Sequence, residues 1–122
     1  MTGKNILITG GNGYIGLSIT NALKKSNKLF LLSRKGGKSE KNIIHIKADI
    51  TKKGIWKTVL NKVDLVYHFA AQTSSQYANT HPLEDLKANF LPVVDFVETC
   101  QKYDLFPDII FAGTVTEVGL TD

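Results

Sequence analysis

Apolar residues occur along this chain in short blocks separated by polar or glycine-bearing stretches. Ile6-Leu7-Ile8-Thr9 is an unbroken apolar run that glycines end, the pattern of a strand buried on both faces. From Tyr14 onward, Ile15, Ile19, Ala22 and Leu23 recur at helical spacing, and Asn27-Lys28 is expected to close that helix. Leu29-Phe30-Leu31-Leu32 reads as a second strand bounded by Ser33-Arg34. Lys35 to Asn42 is polar and contains two glycines, which predicts a loop. Ile43 to Lys47 predicts a third strand and about Lys53 to Asn61 a short helix. Asp64 to Phe69 predicts a fourth strand. Ala70 to Thr80 is small and polar, and a loop is expected there. Pro82 opens a helix at its first turn, where a missing N–H costs nothing. That helix should run to about Lys102, kinked or split at Pro92. Asp108 to Ala112 predicts a fifth strand.

Short apolar strands alternating with helices predict a parallel sheet with crossover helices. Right-handed crossovers then give an α/β doubly wound, Rossmann-like sheet of strand order 3-2-1-4-5. No further helix or strand is predicted from Gly113 to Asp122. Residues 1–122 are therefore expected to be one incomplete dinucleotide-binding domain, truncated before a sixth strand and a substrate domain.

Composition narrows the class. The 122 residues, 43% hydrophobic and 21% charged, suit one soluble globular domain. A single cysteine, Cys100, excludes an internal disulfide and a multi-cysteine metal site, and it reads as a buried apolar filler. No leader peptide or membrane-length apolar run is visible, so a reducing, cytoplasmic setting is expected. The net charge of +4 does not point to nucleic acid. Its basic residues cluster between Lys24 and Lys62 without interleaved aromatics, which suits a solvated face and one phosphate-binding corner.

The sharpest motif is Thr9-Gly10-Gly11-Asn12-Gly13-Tyr14-Ile15-Gly16, a G-x-x-G-x-x-G loop between a predicted strand and a predicted helix. Gly10 allows a sharp turn, Gly13 lets the backbone approach a pyrophosphate, and Gly16 lets the helix pack closely on the sheet. The first helical N–H groups then face the phosphates, aided by the helix dipole. No Gly-Lys-Ser/Thr follows, which excludes a mononucleotide P-loop. NAD sites place a carboxylate at the end of the second strand. Here Ser33 and Arg34 stand there, with Lys35 and Lys38 nearby, which favours NADP and leaves NAD as the alternative.

These residues resemble the opening of the extended short-chain dehydrogenase/reductases, the NAD-dependent epimerase/dehydratase group. Later landmarks agree in order. Asp49-Ile50 resembles the pair after the third strand, which implies an adenine contact. Tyr67-His68-Phe69-Ala70-Ala71 resembles the fourth-strand motif, whose small residues let a cofactor lie over the strand end. Asn89 resembles the family's helix asparagine. Phe111 to Gly119 is similar to its Ser-Ser-x-x-Val-Tyr-Gly stretch, with Thr114 at the position that orients substrate. The resemblance implies cofactor contacts at Gly10, Asn12, Gly13, Tyr14, Ile15, Gly16, Ser33, Arg34, Asp49, Ile50, Phe69, Ala70, Ala71 and Asn89. It implies a full-length enzyme that epimerises, dehydrates or reduces a nucleotide-activated sugar, and a homodimer built through the Pro82–Lys102 helix. The chain departs from the pattern at Pro92-Val93, Gly113-Thr114 and Glu117-Val118.

Family chemistry needs a tyrosine and a lysine four residues apart on one helix face. Tyr14 is followed by Ser18, Tyr67 by Ala71, Tyr77 by His81 and Tyr103 by Pro107. Within this segment no general base of that kind exists, so turnover is not expected from it alone. A cofactor-binding sensor or regulatory module is the alternative, and a structural partner using an uncovered sheet face is a third. His68 reads as a hydrogen-bonded structural residue. His45 and His81 lack metal-ligand spacing. Trp56 reads as core, and Gln72-Thr73-Ser74-Ser75, at the carboxyl edge of the sheet, as either a substrate loop or a polar surface loop.

Overall fold

A computed structural model describes residues 1–114 of the chain. The expected continuation of the motif from Val115 to Gly119 lies outside the described residues. The elements are β1 (Asn5–Thr9), α1 (Tyr14–Leu23), β2 (Lys28–Ser33), β3 (Ile43–Lys47), α2 (Ile55–Val59), β4 (Leu65–His68), α3 (Ser75–Thr80), α4 (Pro82–Asn89), α5 (Leu91–Tyr103) and β5 (Asp108–Phe111). The five strands form one sheet of order β3-β2-β1-β4-β5, and every adjacent pair of strands is parallel. The sheet topology is the predicted one.

β1 is central, paired with β2 from Asn5↔Lys28 to Thr9↔Leu32 and with β4 from Ile6↔Leu65 to Thr9↔His68. Its side chains alternate between two cores. Ile6 and Ile8 join Leu29, Leu31, Ile43 and Leu65 on one face, where Ile19 and Leu23 of α1 cover them. Leu7 joins Leu32, Val66, Trp56, Val59, Leu60 and Phe96 on the other, under α2 and α5. Burial on both faces explains the near-continuous hydrophobicity of β1 and β2. Trp56 is fully buried, edge-on to Phe96, and donates its ring N–H to the Pro92 carbonyl at 2.7 Å.

Three local expectations change. α1 ends at Leu23, before Asn27; the Asn27 amide instead donates to the Leu23 and Met1 carbonyls and accepts from Lys4 N–H. α2 is shorter than expected and starts after Gly54, whose φ of +82° and N–H to Asp95 Oδ2 turn the chain into it. The helix expected from Pro82 to Lys102 is split, as foreseen, into α4 and α5. Pro92 sits in the first turn of α5, where it has no intrahelical N–H to supply. Finally, the expected loop from Ala70 to Thr80 contains α3, whose first turn is capped by Ser74 Oγ accepting from Tyr77 N–H. Cys100 is half-buried rather than buried, and desolvation raises its thiol pKa.

Candidate functional site

The carboxyl ends of β1 to β4 face a common opening. The connection from β1 runs out to β2, while β4 lies on the other side of β1, so the chain diverges there and leaves a crevice. That crevice is a cleft of about 980 Å³. Gly10, Asn12 and Gly13 line it after β1; Ser33, Arg34 and Lys35 after β2; Ala48 to Lys52 after β3; and Phe69 to Gln72 after β4. Tyr77, Glu84, Lys87, Ala88 and Leu91 close it from the α3–α5 side.

The glycine loop is shaped by close backbone approach. Gly10 has φ +69°, and a Cβ there would lie 2.9 Å from the Ala70 nitrogen. A Cβ on Gly11 would lie 2.9 Å from Leu31 Cβ, and one on Gly16 would lie 2.5 Å from the Gly10 carbonyl oxygen. Gly16 therefore lets α1 pack on the loop's own backbone, a nearer neighbour than the sheet expected from the sequence. Gly11, passed over in the motif spacing, is as confined as Gly10. Among the described residues no side chain caps α1 at Gly13, and its first turn carries no acidic residue. Its N-terminal N–H groups and positive dipole end are thus left for an anion from outside the helix.

Thr9 joins β1 to β4. Its hydroxyl oxygen accepts from Phe69 N–H at 3.2 Å and Ala70 N–H at 3.1 Å, and lies 2.8 Å from His68 Nδ1. With two donors already on that oxygen, the Thr9 proton goes to Nδ1, and neutral His68 carries its own proton on Nε2. Burial lowers the His68 pKa. His68 is buried between Trp56 and Phe111, the hydrogen-bonded structural role read from the sequence.

Across the cleft, Asp49 accepts from Thr51 N–H and Thr51 Oγ1, at 2.9 and 2.8 Å. These bonds, with Lys52 and Arg34 nearby, lower the Asp49 carboxyl pKa despite partial desolvation. Ile50 is buried beside it. On the α4 side, Asn89 donates to the Gln72 carbonyl and accepts from Gln72 N–H, at 2.9 and 2.7 Å. Asp85 Oδ1 accepts from both Gln72 Nε2 and Asn89 Nδ2, at 2.9 and 3.0 Å. The Gln72 side-chain carbonyl accepts from Ser74 N–H. This network fixes the segment that follows Ala71.

Residues 6–122 match the model of the NAD dependent epimerase/dehydratase family. The chain belongs to that family. A UDP-N-acetylglucosamine 4,6-dehydratase of Campylobacter jejuni is 32% identical over 109 residues, covering 80% of this chain and 33% of the relative. UDP-glucuronate 4-epimerase 2 of Arabidopsis thaliana is 25% identical over 140 residues, 97% of this chain and 31% of its own. Among solved structures, an epimerase of Methanothermobacter thermautotrophicus superposes with a TM-score of 0.81 at 26% identity, covering 93% of this chain and 36% of that one. The chain spans about a third of the length of the curated relatives it matches.

Set against the contacts that the family resemblance implied, the structure brings together Gly10, Asn12, Gly13, Ser33, Arg34, Asp49, Ile50, Phe69, Ala70 and Ala71 around one cleft. Tyr14 and Ile15 do not line it and are 93% and 50% exposed, so what they offer an anion is their backbone N–H. Gly16 shapes the loop from behind. Asn89 lies outside the lining and hydrogen-bonds the Gln72 backbone. Thr114 follows β5 and is exposed. Sequence reasoning missed Asp85, Lys87 and Leu91; the four-residue spacing of Asp85 and Asn89 on one helix face was the available signal. The site fits a nicotinamide dinucleotide. Glycines keep its floor free of side chains, the α1 terminus is open to a pyrophosphate, and the ends of β2 and β3 carry the polar groups a nucleoside requires.

Proposed function

We propose that this segment binds NADP, with NAD as the weaker alternative, and forms the cofactor-binding portion of an enzyme acting on a nucleotide-activated sugar. The observation that carries the reading is the uncapped start of α1 opening into a cleft bounded by Gly10, Gly13, Arg34 and Asp49. The α1 N–H groups would hold the pyrophosphate, and Ile50, Phe69 and Ala70 would flank the adenine. Arg34, which faces the cleft with Lys35 and has no carboxylate at the end of β2 to oppose it, would pair with a 2′-phosphate. When bound, the cofactor supplies hydride acceptance and return. Of this chain's residues, Thr114 would orient the sugar hydroxyl or carbonyl by hydrogen bonding.

No tyrosine in residues 1–122 is followed four places later by lysine, so the segment is expected to bind cofactor without consuming it. Side-by-side calorimetric titration of the 122-residue chain with NADP and NAD tests the reading. Tighter NADP binding is expected. Equal or NAD-favoured affinity would overturn the role given to Arg34, and binding of neither would overturn the cofactor site itself. Self-association is a further part of the reading, supported by Leu83, Leu86, Phe90, Val94 and Val97. They recur at helical spacing along α4, the Phe90 junction and α5 and are 37–60% exposed. Light scattering that gives a strict monomer at high concentration would contradict it.

A further inference from the structure

By composition, Arg34 to Asn42 is a slack, glycine-bearing loop, yet it is held at several points. Asn12 Nδ2 donates to Ser33 Oγ at 2.9 Å and to the Gly36 carbonyl at 2.8 Å. Gly36 N–H donates to the same Ser33 Oγ at 3.0 Å. Gly36, at φ +68°, lies so close to β3 that a Cβ would come 3.0 Å from Lys47 Cβ. Gly37 lies against the His45 ring, where a Cβ would come 2.5 Å from Nδ1. Among the described residues that buried ring nitrogen has no hydrogen-bond partner, so the loop is seated there by shape. Ser39 Oγ accepts from His45 N–H at 3.0 Å and holds the far end.

The hydrogen-bond count at Ser33 has a chemical result. A hydroxyl offers two acceptor positions and one proton. Asn12 and Gly36 occupy both acceptor positions, so only the Ser33 proton remains to offer. A ribose 2′-hydroxyl can only accept from such a group, in an ordinary neutral bond. A 2′-phosphate, rich in acceptors and charged, takes that proton in a charge-assisted bond. Arg34 and Lys35, the next two residues, line the same cleft. The tether therefore aligns one fixed donor and two cations before any ligand arrives.

We infer that Asn12 and the Gly36–Gly37 seat determine cofactor specificity, by making Ser33 a donor-only hydroxyl and holding the basic loop toward a phosphoester on the adenosine ribose. The inference rests on the cofactor reading above and adds residues that act through Ser33 and Arg34. It is tested by the ratio of NADP to NAD affinity in the 122-residue chain, with circular dichroism confirming that each variant folds. Asn12→Ala is expected to lower that ratio about tenfold, chiefly through NADP, as loss of a pre-organising hydrogen-bond pair implies. Asn12 also belongs to the glycine loop, so a second variant acts from the far side of the tether. Gly37→Ala forces the loop off the His45 ring and should lower the ratio as well. Adding His45→Ala opens room for the new methyl and should restore it. A wild-type chain that prefers NADP while both single variants keep its ratio overturns the tether and leaves the cofactor reading standing. Parallel weakening of both cofactors in the single variants likewise overturns it. A wild-type chain that binds without NADP preference overturns the role given to Arg34, and the tether falls with it.

Discussion

On the β1 side, the wall of the cleft is backbone and empty space; on the β4–α4 side it is a lattice of side-chain amides and a carboxylate. Gly10, Gly11 and Gly16 matter there for atoms they lack, since a Cβ on any of them would meet a neighbour at 2.9 Å or less. Gln72, Asp85 and Asn89 matter for atoms they have, four hydrogen bonds among them at 2.7–3.0 Å. The first wall should fail when atoms are added and tolerate little. The second should fail when atoms are removed, and by degrees, because each bond carries only part of the hold.

The largest effect is expected from Gly16→Val. Its side chain would collide with the Gly10 carbonyl and Gly11, costing about 1–3 kcal/mol of stability by overpacking and removing detectable nucleotide binding. Urea denaturation and calorimetry check the two arms. Next comes Ser33→Asp, which places a carboxylate where a 2′-phosphate is expected. NADP affinity should fall tenfold or more while NAD gains, a reversal read from paired titrations. Asp85→Ala removes an acceptor shared by Gln72 and Asn89 and should cost about 1–2 kcal/mol, since a charged acceptor is lost from a half-exposed site. Asp85→Asn keeps one acceptor and should cost less; equal losses from the two would mean the network acts through something other than that oxygen.

The smallest effect concerns the Thr9–His68 link between the two walls. An unfolded histidine titrates near 6.5, and burial holds His68 below that in the fold. As pH falls, the unfolded chain takes the proton first, so this contribution to stability is complete above about pH 6.5 and declines below it, levelling off once the folded group also titrates. The urea midpoint should therefore fall more steeply on acidification in wild type than in His68→Gln. Identical slopes would remove His68 from the account.

The same contrast explains what could be read from the sequence. Strands buried on both faces announce themselves by unbroken apolar runs, and the glycine spacing announces the first wall, so the sheet order and most residues on that wall were legible. The second wall was not. α3 has no apolar stripe, only Ser74 as a cap, and its segment reads as a loop. Asp85 lies in a charged turn of α4, and nothing local distinguishes a solvated carboxylate from one that receives two amides. Asn89 was found by resemblance, but its partner is the Gln72 backbone, a contact between residues 17 positions apart that no spacing rule encodes. Gly11 was hidden because its constraint, Leu31, comes from another strand.

The lone tryptophan offers a way to watch one layer move independently of the rest. Trp56 is sealed between α5 and the sheet, its N–H spent on a carbonyl. A small neutral quencher such as acrylamide reaches that indole only when α2 or α5 lifts away. Its emission thus clocks partial opening of a single helical layer, while the strands beneath stay paired and amide exchange in β1 stays slow.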